Sequence, residues 1–179
     1  MIMGKVEIII LITLTIVIAW LSWIISVKDK RYHGIFRFVS FESILILLLL
    51  NYPVWFNNPL AWCQLVSWVL LGGSLLVALF GFYLLYHHGK PVDGMEETTT
   101  LITSGLYRYI RHPLYLSLIL GGFGVMMKDL DRLSVILALV NLLALYFTAK
   151  VEEKEMIKRF EKDYEEYMTV TKMFIPFIL

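Results

Sequence analysis

Length, composition and charge restrict what this chain can be. It has 179 residues, of which 59% are hydrophobic and 17% charged, and its mean hydropathy is +0.72. Soluble domains are about 45–50% apolar and about 25% charged. A soluble chain of this length could not bury the apolar surface of so many additional hydrophobic residues. The formal charge of +1 argues against a nucleic-acid partner, and the single cysteine, Cys63, excludes internal disulfides. We expect an all-α integral membrane protein with a single membrane domain over 1–179.

Five apolar stretches predict five transmembrane helices. The first three, at Ile8–Val27, Phe38–Phe56 and Ala61–Tyr86, are long enough to cross a hydrocarbon core of about 30 Å. The fourth, Pro113–Met127, is short, and a tight polar connection over 128–132 leads to the fifth, Leu133–Ala149. Glycines in the third and fourth stretches predict close contacts between helices. They are Gly72, Gly73, Gly81, Gly121, Gly122 and Gly124.

Lys and Arg are distributed unevenly about these stretches. With five crossings, all but Lys5, Lys128 and Arg132 fall on one side of the membrane. Because cytoplasmic loops are enriched in Lys and Arg, the N-terminus is predicted outside and the C-terminus in the cytoplasm. The membrane would be the cytoplasmic membrane of a prokaryote or the endoplasmic reticulum of a eukaryote. The cations assigned to the cytoplasmic loops are Lys28, Lys30, Arg31, Arg37, Lys90, Arg108 and Arg111.

Two cytoplasmic segments, roughly 87–112 and 150–179, hold most of the polar residues and can meet at the inner face. The first runs into Pro113, which suits the first position of a helix. The backbone N–H groups before Pro113 are then expected to be free near a positive helix end, which favours anions. The alternative is an interfacial belt in which Tyr and Arg lie among the lipid headgroups.

The second segment predicts an amphipathic helix that continues from the fifth crossing. Its apolar positions repeat at helical spacing: Ile157, Phe160, Tyr164 and Tyr167. Glu153 lies one turn above Ile157 on this stripe, and Glu152 lies on its flank. Carboxylates at such a place either bind a cationic group or form a solvated i,i+4 network, here with Lys154, Lys158 and Arg159.

Three further polar residues receive structural interpretations. His87 and His88 have no Asp, Glu or Cys at ligand spacing, so we expect an interfacial pair and no metal site. Glu42 is four residues into its predicted helix, and we expect its side chain to extend to the interface instead of acting as an intramembrane functional acid.

Both polar segments carry a recognisable pattern. It reads Gly105-x-Tyr107-x-x-x-Arg111-His112-Pro113-x-Tyr115, followed by Glu152-Glu153, Phe160-x-x-x-Tyr164-x-x-Tyr167 and Pro176. From about Thr98 to Pro176 the chain resembles the isoprenylcysteine carboxyl methyltransferase family, which is related to membrane phospholipid N-methyltransferases. The three N-terminal helices, 1–86, match it only in hydropathy.

The resemblance implies an S-adenosylmethionine-dependent methyltransferase whose cofactor-binding half is 87–179, built from a loop, a helical hairpin and a C-terminal helix. It implies catalytic roles for Arg111, His112 and Glu152. The cofactor contacts it implies are Thr99, Thr100, Leu101, Ile102, Tyr107, His112, Pro113, Leu114, Tyr115, Glu152 and Glu153.

Individual roles follow from the cofactor's chemistry. Tyr107 or Tyr115 would stack on the adenine or hydrogen-bond the ribose. His112 would help to hold the methionyl carboxylate, and Glu152 would pair with the methionyl ammonium.

The acceptor side departs from the family pattern. Thr148 stands where the family often has an arginine implicated in binding substrate, with Lys150 as the nearest cation, and Ser117 replaces a frequent glycine. The implied acceptor is a lipophilic or lipidated molecule entering from the bilayer, of the prenylcysteine carboxylate type. A carboxylate needs no base, whereas an amine or a thiol must lose a proton, to His112 or to a glutamate of the tail.

Three other functions stay open at this point. One is methylation of a phospholipid amine or a small thiol. Another is an NADPH-dependent membrane sterol or enone reductase, which would need phosphate-binding cations that 87–112 hardly offers. A non-enzymatic membrane scaffold is the third, although it leaves the two polar segments without a purpose.

Overall fold

The computed structural model describes residues 4–28, 34–89 and 99–176, and over these the chain is all-helical. The helices are α1 (Lys5–Lys28), α2 (Gly34–Asn51), α3 (Trp62–Gly89), α4 (Pro113–Met126) and α5 (Arg132–Val170). Single 3₁₀ turns occupy Tyr52–Val54 and Gly105–Arg108. Thr98 and three of the predicted loop cations, Lys30, Arg31 and Lys90, lie outside the described residues.

Four helices, α1, α2, α3 and α5, are long and apolar enough to cross a membrane. The exception among the five is α4, which has 14 residues. At 1.5 Å per residue it is about 21 Å long, shorter than a hydrocarbon core of about 30 Å. A fifth crossing at α4 therefore stays a prediction, although Pro113 begins this helix as expected.

The helix α4 packs against α3, α5 and α2. Small residues on α4 allow this close approach. A Cβ added at Gly124 would lie 2.9 Å from Leu71 Cγ and 3.2 Å from the Leu71 backbone nitrogen. On the α5 side, a Cβ at Gly122 would lie 2.6 Å from Asn141 Nδ2. The predicted close contacts are confirmed at these glycines and are wrong at Gly72, where a Cβ would meet no atom within 4 Å.

Buried polar side chains line the face of α2 that packs on α5. Ser40 donates to Asn141 Oδ1 at 2.7 Å, and Asn51 donates to Ser134 Oγ at 3.1 Å. Pairing of this kind is required where water is absent. Arg37 is buried on the same face, one turn before Ser40, so the α2–α5 interface directs it toward α5.

Glu42 does not extend to an interface. Since α2 begins at Gly34, four residues before the predicted start, Glu42 lies eight residues into the helix. Its Oε1 accepts a hydrogen bond from Thr15 Oγ1 of α1 at 2.6 Å. The expectation that this side chain extends to the interface is therefore wrong, because the real helix start places Glu42 opposite α1.

The last helix, α5, spans 39 residues as two helical stretches that meet at a kink. Helical dihedrals are interrupted at Glu161, where φ is 48° and ψ is −124°. Beyond it, Tyr164 and Tyr167 are buried while Glu165 and Glu166 are exposed. The fifth predicted helix thus continues into the polar tail, and the amphipathic character of the C-terminal helix stays a prediction.

Candidate active site

A short parallel bridge joins the two polar segments just before α4. Arg111 N–H donates to Lys172 O at 2.8 Å, His112 N–H donates to Met173 O at 3.1 Å, and Lys172 N–H donates to Tyr109 O at 3.1 Å. The prediction that the two segments meet is confirmed. The prediction of free N–H groups before Pro113 is wrong for Arg111 and His112, because the chain after α5 supplies their acceptors.

Glu153 forms a buried ion pair with Arg111. Its Oε1 lies 2.7 Å from Arg111 Nε, and the two side chains are 4% and 8% exposed. Arg111 Nη1 also donates to Thr171 O at 2.6 Å, while Lys150 Nζ reaches Glu153 Oε2 at 3.4 Å. The alternative of a solvated i,i+4 network is wrong for Glu153, since its closest partner comes from the loop before α4.

Glu152 is held by side chains from two other helices and by His112. Arg37 Nη2 of α2 lies 3.1 Å from its Oε1, and the Tyr115 hydroxyl of α4 donates a short hydrogen bond to the same oxygen. Its Oε2 lies 3.5 Å from His112 Nδ1. With 15% of its side chain exposed, Glu152 is the more accessible of the two adjacent glutamates.

His112 lies between the two carboxylates. Its Nε2 is 3.7 Å from Glu153 Oε1, is buried, and has no hydrogen-bond partner among the described residues. The ring stacks on Tyr115 with centroids 5.4 Å apart, and Phe174 covers it at 6.2 Å. A buried polar atom without a partner is uncommon in native proteins, so Nε2 is a candidate contact for a bound polar group.

Tyr107 lies beside this cluster in the 3₁₀ turn. Its carbonyl accepts a hydrogen bond from the Tyr167 hydroxyl at 2.5 Å. Burial, with smaller contributions from Tyr167 and Glu152, raises the pKa of the Tyr107 hydroxyl well above its ordinary value. Tyr107 therefore stays a neutral phenol and a hydrogen-bond donor at physiological pH.

Other predicted cofactor contacts lie against α3. Leu114 and Pro113 face Gly81, where an added Cβ would lie 2.9 Å from Leu114 Cδ2 and 3.7 Å from Pro113 Cβ. Thr99 N–H donates to Gly89 O at 3.0 Å, and Thr100 Oγ1 donates to His88 O at 2.8 Å. Of the next two predicted contacts, Leu101 is half-buried and Ile102 is buried.

The contacts around Glu152 and Glu153 form a charged cluster, which brings together five of the predicted site residues and also Arg37, which was not predicted. The five are Arg111, His112, Tyr115, Glu152 and Glu153. Among the described residues no three His, Cys, Asp or Glu side chains form a group that could hold a metal ion. In the last turns of α3 the His87 ring packs on the Tyr83 ring, with centroids 4.2 Å apart.

Arg37 is the functional candidate that sequence reasoning missed. It was counted among the loop cations, yet it lies in the first turns of α2 and contacts Glu152 and Tyr115. The available signal was the spacing of Arg37, Ser40 and Ser43, which puts polar groups on one face of an apolar helix. Such a face points to the protein interior.

The family's frequent arginine is replaced here by Thr148, with Lys150 as the nearest cation in the sequence, and neither side chain contacts Glu152. Thr148 is fully buried, and its hydroxyl donates to Ala144 O at 2.9 Å within α5. The Lys150 side chain is 45% exposed and is paired with Glu153. The guanidinium beside Glu152 is that of Arg37, from another helix.

Comparison with known proteins gives a consistent family. The family model described as phospholipid methyltransferase matches residues 62–163. Methanethiol S-methyltransferase 1 of Bradyrhizobium diazoefficiens is 27% identical over 157 residues, covering 78% of this chain and 53% of the relative. The protein-S-isoprenylcysteine O-methyltransferase of Saccharomyces cerevisiae is 32% identical over 84 residues, covering 46% of this chain and 35% of the relative.

A third relative is named for a different property. The nickel-cobalt-cadmium resistance protein NccN of Alcaligenes xylosoxydans xylosoxydans is 29% identical over 154 residues, covering 84% of this chain and 67% of the relative. The chain spans about half the length of the methanethiol relative. No solved structure matches it significantly.

Proposed function

Because the chain belongs to the phospholipid methyltransferase family, we propose that it is a membrane-embedded methyltransferase that uses S-adenosylmethionine and acts on a lipophilic acceptor. The proposed acceptor class is a prenylcysteine-type carboxylate. The two halves of the chain have different proposed roles. The loop, helical hairpin and C-terminal helix of 87–179 bind the cofactor, while 1–86 supplies three helices and Arg37. The protein would span the membrane several times, with its C-terminus in the cytoplasm.

The position of Glu152 is the observation that carries this proposal. Its carboxylate lies beside the start of α4, within reach of His112 and Tyr115, and it keeps 15% exposure in an otherwise buried cluster. S-adenosylmethionine has an ammonium, a carboxylate, a ribose and an adenine. These groups are matched by an accessible carboxylate, by a buried His112 Nε2 that has no hydrogen-bond partner among the described residues, and by the neutral Tyr107 phenol.

In this proposal the residues of the chain bind and orient the cofactor and the acceptor, and the cofactor supplies the reactive group. When bound, the cofactor would supply an electrophilic sulfonium methyl; the acceptor's nucleophile would form a bond to the methyl carbon as the C–S bond breaks, and the electron pair of that bond would stay on the sulfur of the S-adenosylhomocysteine that leaves. Glu152 would hold the methionyl ammonium, His112 Nε2 would donate to the methionyl carboxylate, and Tyr107 would hydrogen-bond the ribose or stack on the adenine. Phe174 and Tyr115 enclose His112 and exclude water from it.

A thiol is the second candidate acceptor. Two relatives that cover 78% of this chain are named methanethiol S-methyltransferases, a wider coverage than the 46% of the prenylcysteine relative. A thiol must lose its proton before transfer, and its ordinary pKa of about 8.5 makes ionisation easy near a cation. His112 would receive this proton if a base is used.

Calorimetric titration of the detergent-purified protein with S-adenosylhomocysteine, and separately with NADPH, tests the proposal. We expect saturable binding of S-adenosylhomocysteine only. Glu152→Gln should weaken it at least about tenfold, because a charge-assisted contact contributes roughly 1.5–3 kcal/mol. Tyr107→Ala should weaken it less.

The matched control is Glu165→Gln, which neutralises an exposed glutamate of the same helix and should leave the affinity unchanged. Binding of NADPH alone would favour the reductase, and binding of neither compound by the folded protein would favour a scaffold. Methyl-transfer assays with prenylcysteine, thiol and phosphatidylethanolamine acceptors would then identify the substrate.

A further inference from the structure

We propose that Arg37 is the acceptor-binding residue, and that Glu152 releases it for this role when the cofactor binds. The inference rests on the proposed function. In the structure one nitrogen, Arg37 Nη2, lies 3.1 Å from Glu152 Oε1 and 3.1 Å from the Tyr115 hydroxyl, which itself donates to that same oxygen. Glu152 therefore occupies the position that an anion bound to Arg37 would take.

The two ion pairs of the cluster differ in how firmly they are held. Arg111 and Glu153 are 2.7 Å apart, 8% and 4% exposed, and Arg111 is anchored to Thr171 O as well. Arg37 and Glu152 are 3.1 Å apart and 11% and 15% exposed, and their atoms are shared with Tyr115 and His112. The Arg37–Glu152 pair is the one that can exchange partners without opening the shorter and more deeply buried Arg111–Glu153 pair.

Exchange follows from charge. A cofactor ammonium that takes Glu152 removes a carboxylate from Arg37, and a poorly hydrated guanidinium that loses a carboxylate binds a new anion more strongly. Binding of the cofactor and of an anionic acceptor are then coupled with positive sign, and the coupling acts equally in both directions.

The chemistry of Arg37 selects the acceptor class. A planar guanidinium matches a carboxylate through two parallel hydrogen bonds, and it repels a protonated amine. A carboxylate is also already ionised, so the cluster need not remove a proton from it. Phe41 lies one turn beyond Arg37 on α2 and is 37% exposed, so its ring is suited to contact the hydrocarbon part of such an acceptor.

The first measurement is direct binding of an N-acetylated S-prenylcysteine, with and without saturating S-adenosylhomocysteine. In the wild type we expect affinity to rise at least about tenfold when S-adenosylhomocysteine is present. Arg37→Gln should abolish this rise while keeping the affinity for S-adenosylhomocysteine itself within about threefold, or improving it, since Arg37 competes for Glu152. The exposed Arg108→Gln is the matched control and should behave as the wild type.

Kinetics supply the second measurement. Arg37→Gln should raise KM for the carboxylate acceptor about tenfold or more, with a smaller change in kcat, and Arg37→Lys should recover part of the loss because it keeps the charge. If Arg37→Gln does not fold, as judged by its melting temperature, Arg37→Lys gives the same comparison through its partial loss.

The outcomes separate the two proposals. Failure of the wild type to bind S-adenosylhomocysteine refutes the proposed function itself. Two outcomes would refute only the role of Arg37, provided that S-adenosylhomocysteine binds normally. The first is an acceptor affinity that does not change when S-adenosylhomocysteine is present, and the second is a KM that does not change in Arg37→Gln. Transfer to a thiol or to phosphatidylethanolamine in preference to the carboxylate refutes the assigned acceptor class.

Discussion

Both ends of the helical bundle bury charged side chains, but they satisfy them differently. At the end formed by the α4–α5 connection, Lys128 is 5% exposed. Its Nζ donates to Gln64 Oε1 at 2.9 Å and lies 3.4 Å from the centre of the Trp68 ring. Gln64 Nε2 in return donates to Lys128 O at 3.3 Å. At the other end, Glu152 is shared among Arg37, Tyr115 and His112.

The difference distinguishes a structural cluster from a proposed binding site. Gln64 and Lys128 satisfy each other reciprocally, so a ligand would only replace good contacts with equivalent ones. Around Glu152 the donors compete for one carboxylate, and His112 Nε2 has no hydrogen-bond partner among the described residues. A ligand can improve these contacts. Substitutions at the Glu152 end should change ligand binding, whereas those at the Lys128 end should change stability alone.

Arg111→Ala should have the largest effect on stability. It leaves Glu153 buried without its closest partner, which costs about 3–5 kcal/mol of unfolding free energy. Reversible denaturation in mixed micelles measures the loss, with the exposed Arg108→Ala as control. Adding Glu153→Gln should restore part of the stability, since it removes the buried charge that has lost its closest partner; full additivity of the two changes would contradict the pairing.

Lys128→Ala should cost about 2–4 kcal/mol, because it removes a hydrogen bond to a charged group and a desolvated cation–π contact. The affinity for S-adenosylhomocysteine should stay within about twofold of the wild type. Arg132→Ala, at an exposed neighbouring position, is the control. A folded Lys128→Ala protein that no longer bound S-adenosylhomocysteine would end the distinction between the two ends.

Gly124→Ala should destabilise the bundle by about 1–3 kcal/mol, since the new methyl group would press on the Leu71 backbone and force α3 and α4 apart. Gly72→Ala adds the same methyl group where no atom lies within 4 Å. That control should be neutral, or stabilising by up to about 1 kcal/mol. Equal melting temperatures for the two variants would contradict the packing described for α4.

Asp131→Ala should have the smallest effect, about 1 kcal/mol, because it removes the N-cap of α5. Asp131 Oδ1 accepts from Ser134 N–H at 2.6 Å, and this hydrogen bond lowers the pKa of the Asp131 carboxyl. The charged form is therefore favoured on folding. Its contribution is complete above the ordinary aspartate pKa of about 3.9 and declines as the pH falls through the lowered value.

The stability difference between the wild type and Asp131→Asn, which keeps a capping oxygen, isolates the charge. It should be larger at pH 7 than at pH 3. A difference that does not depend on pH would show that the cap acts only as a neutral hydrogen-bond acceptor.

Sequence reasoning succeeded where one segment decides the outcome. Pro113 begins α4 because its fixed φ and missing N–H suit the first position. The pattern from Tyr107 to Tyr115 and the Glu152–Glu153 pair pointed to the two segments that the bridge at Ile110 and Lys172 brings together.

It failed where a partner from a distant part of the chain decides. Glu42 pairs with Thr15 of α1, and Arg37 pairs with Glu152, which is 115 residues away. Neither local pattern nor spacing specifies which helix face meets which neighbour.

The sequence by itself determined the environment and the periodicity: apolar runs long enough for a membrane, small residues for close helix packing, and two polar segments containing the candidate chemistry. Those properties depend on local composition and on the energetic cost of exposing polar backbone to hydrocarbon. Only the tertiary structure decided the pairing of charges. A buried guanidinium requires a carboxylate wherever the packing places one, and the packing of α2 on α5 places Glu152 beside Arg37 and leaves Arg111 to Glu153.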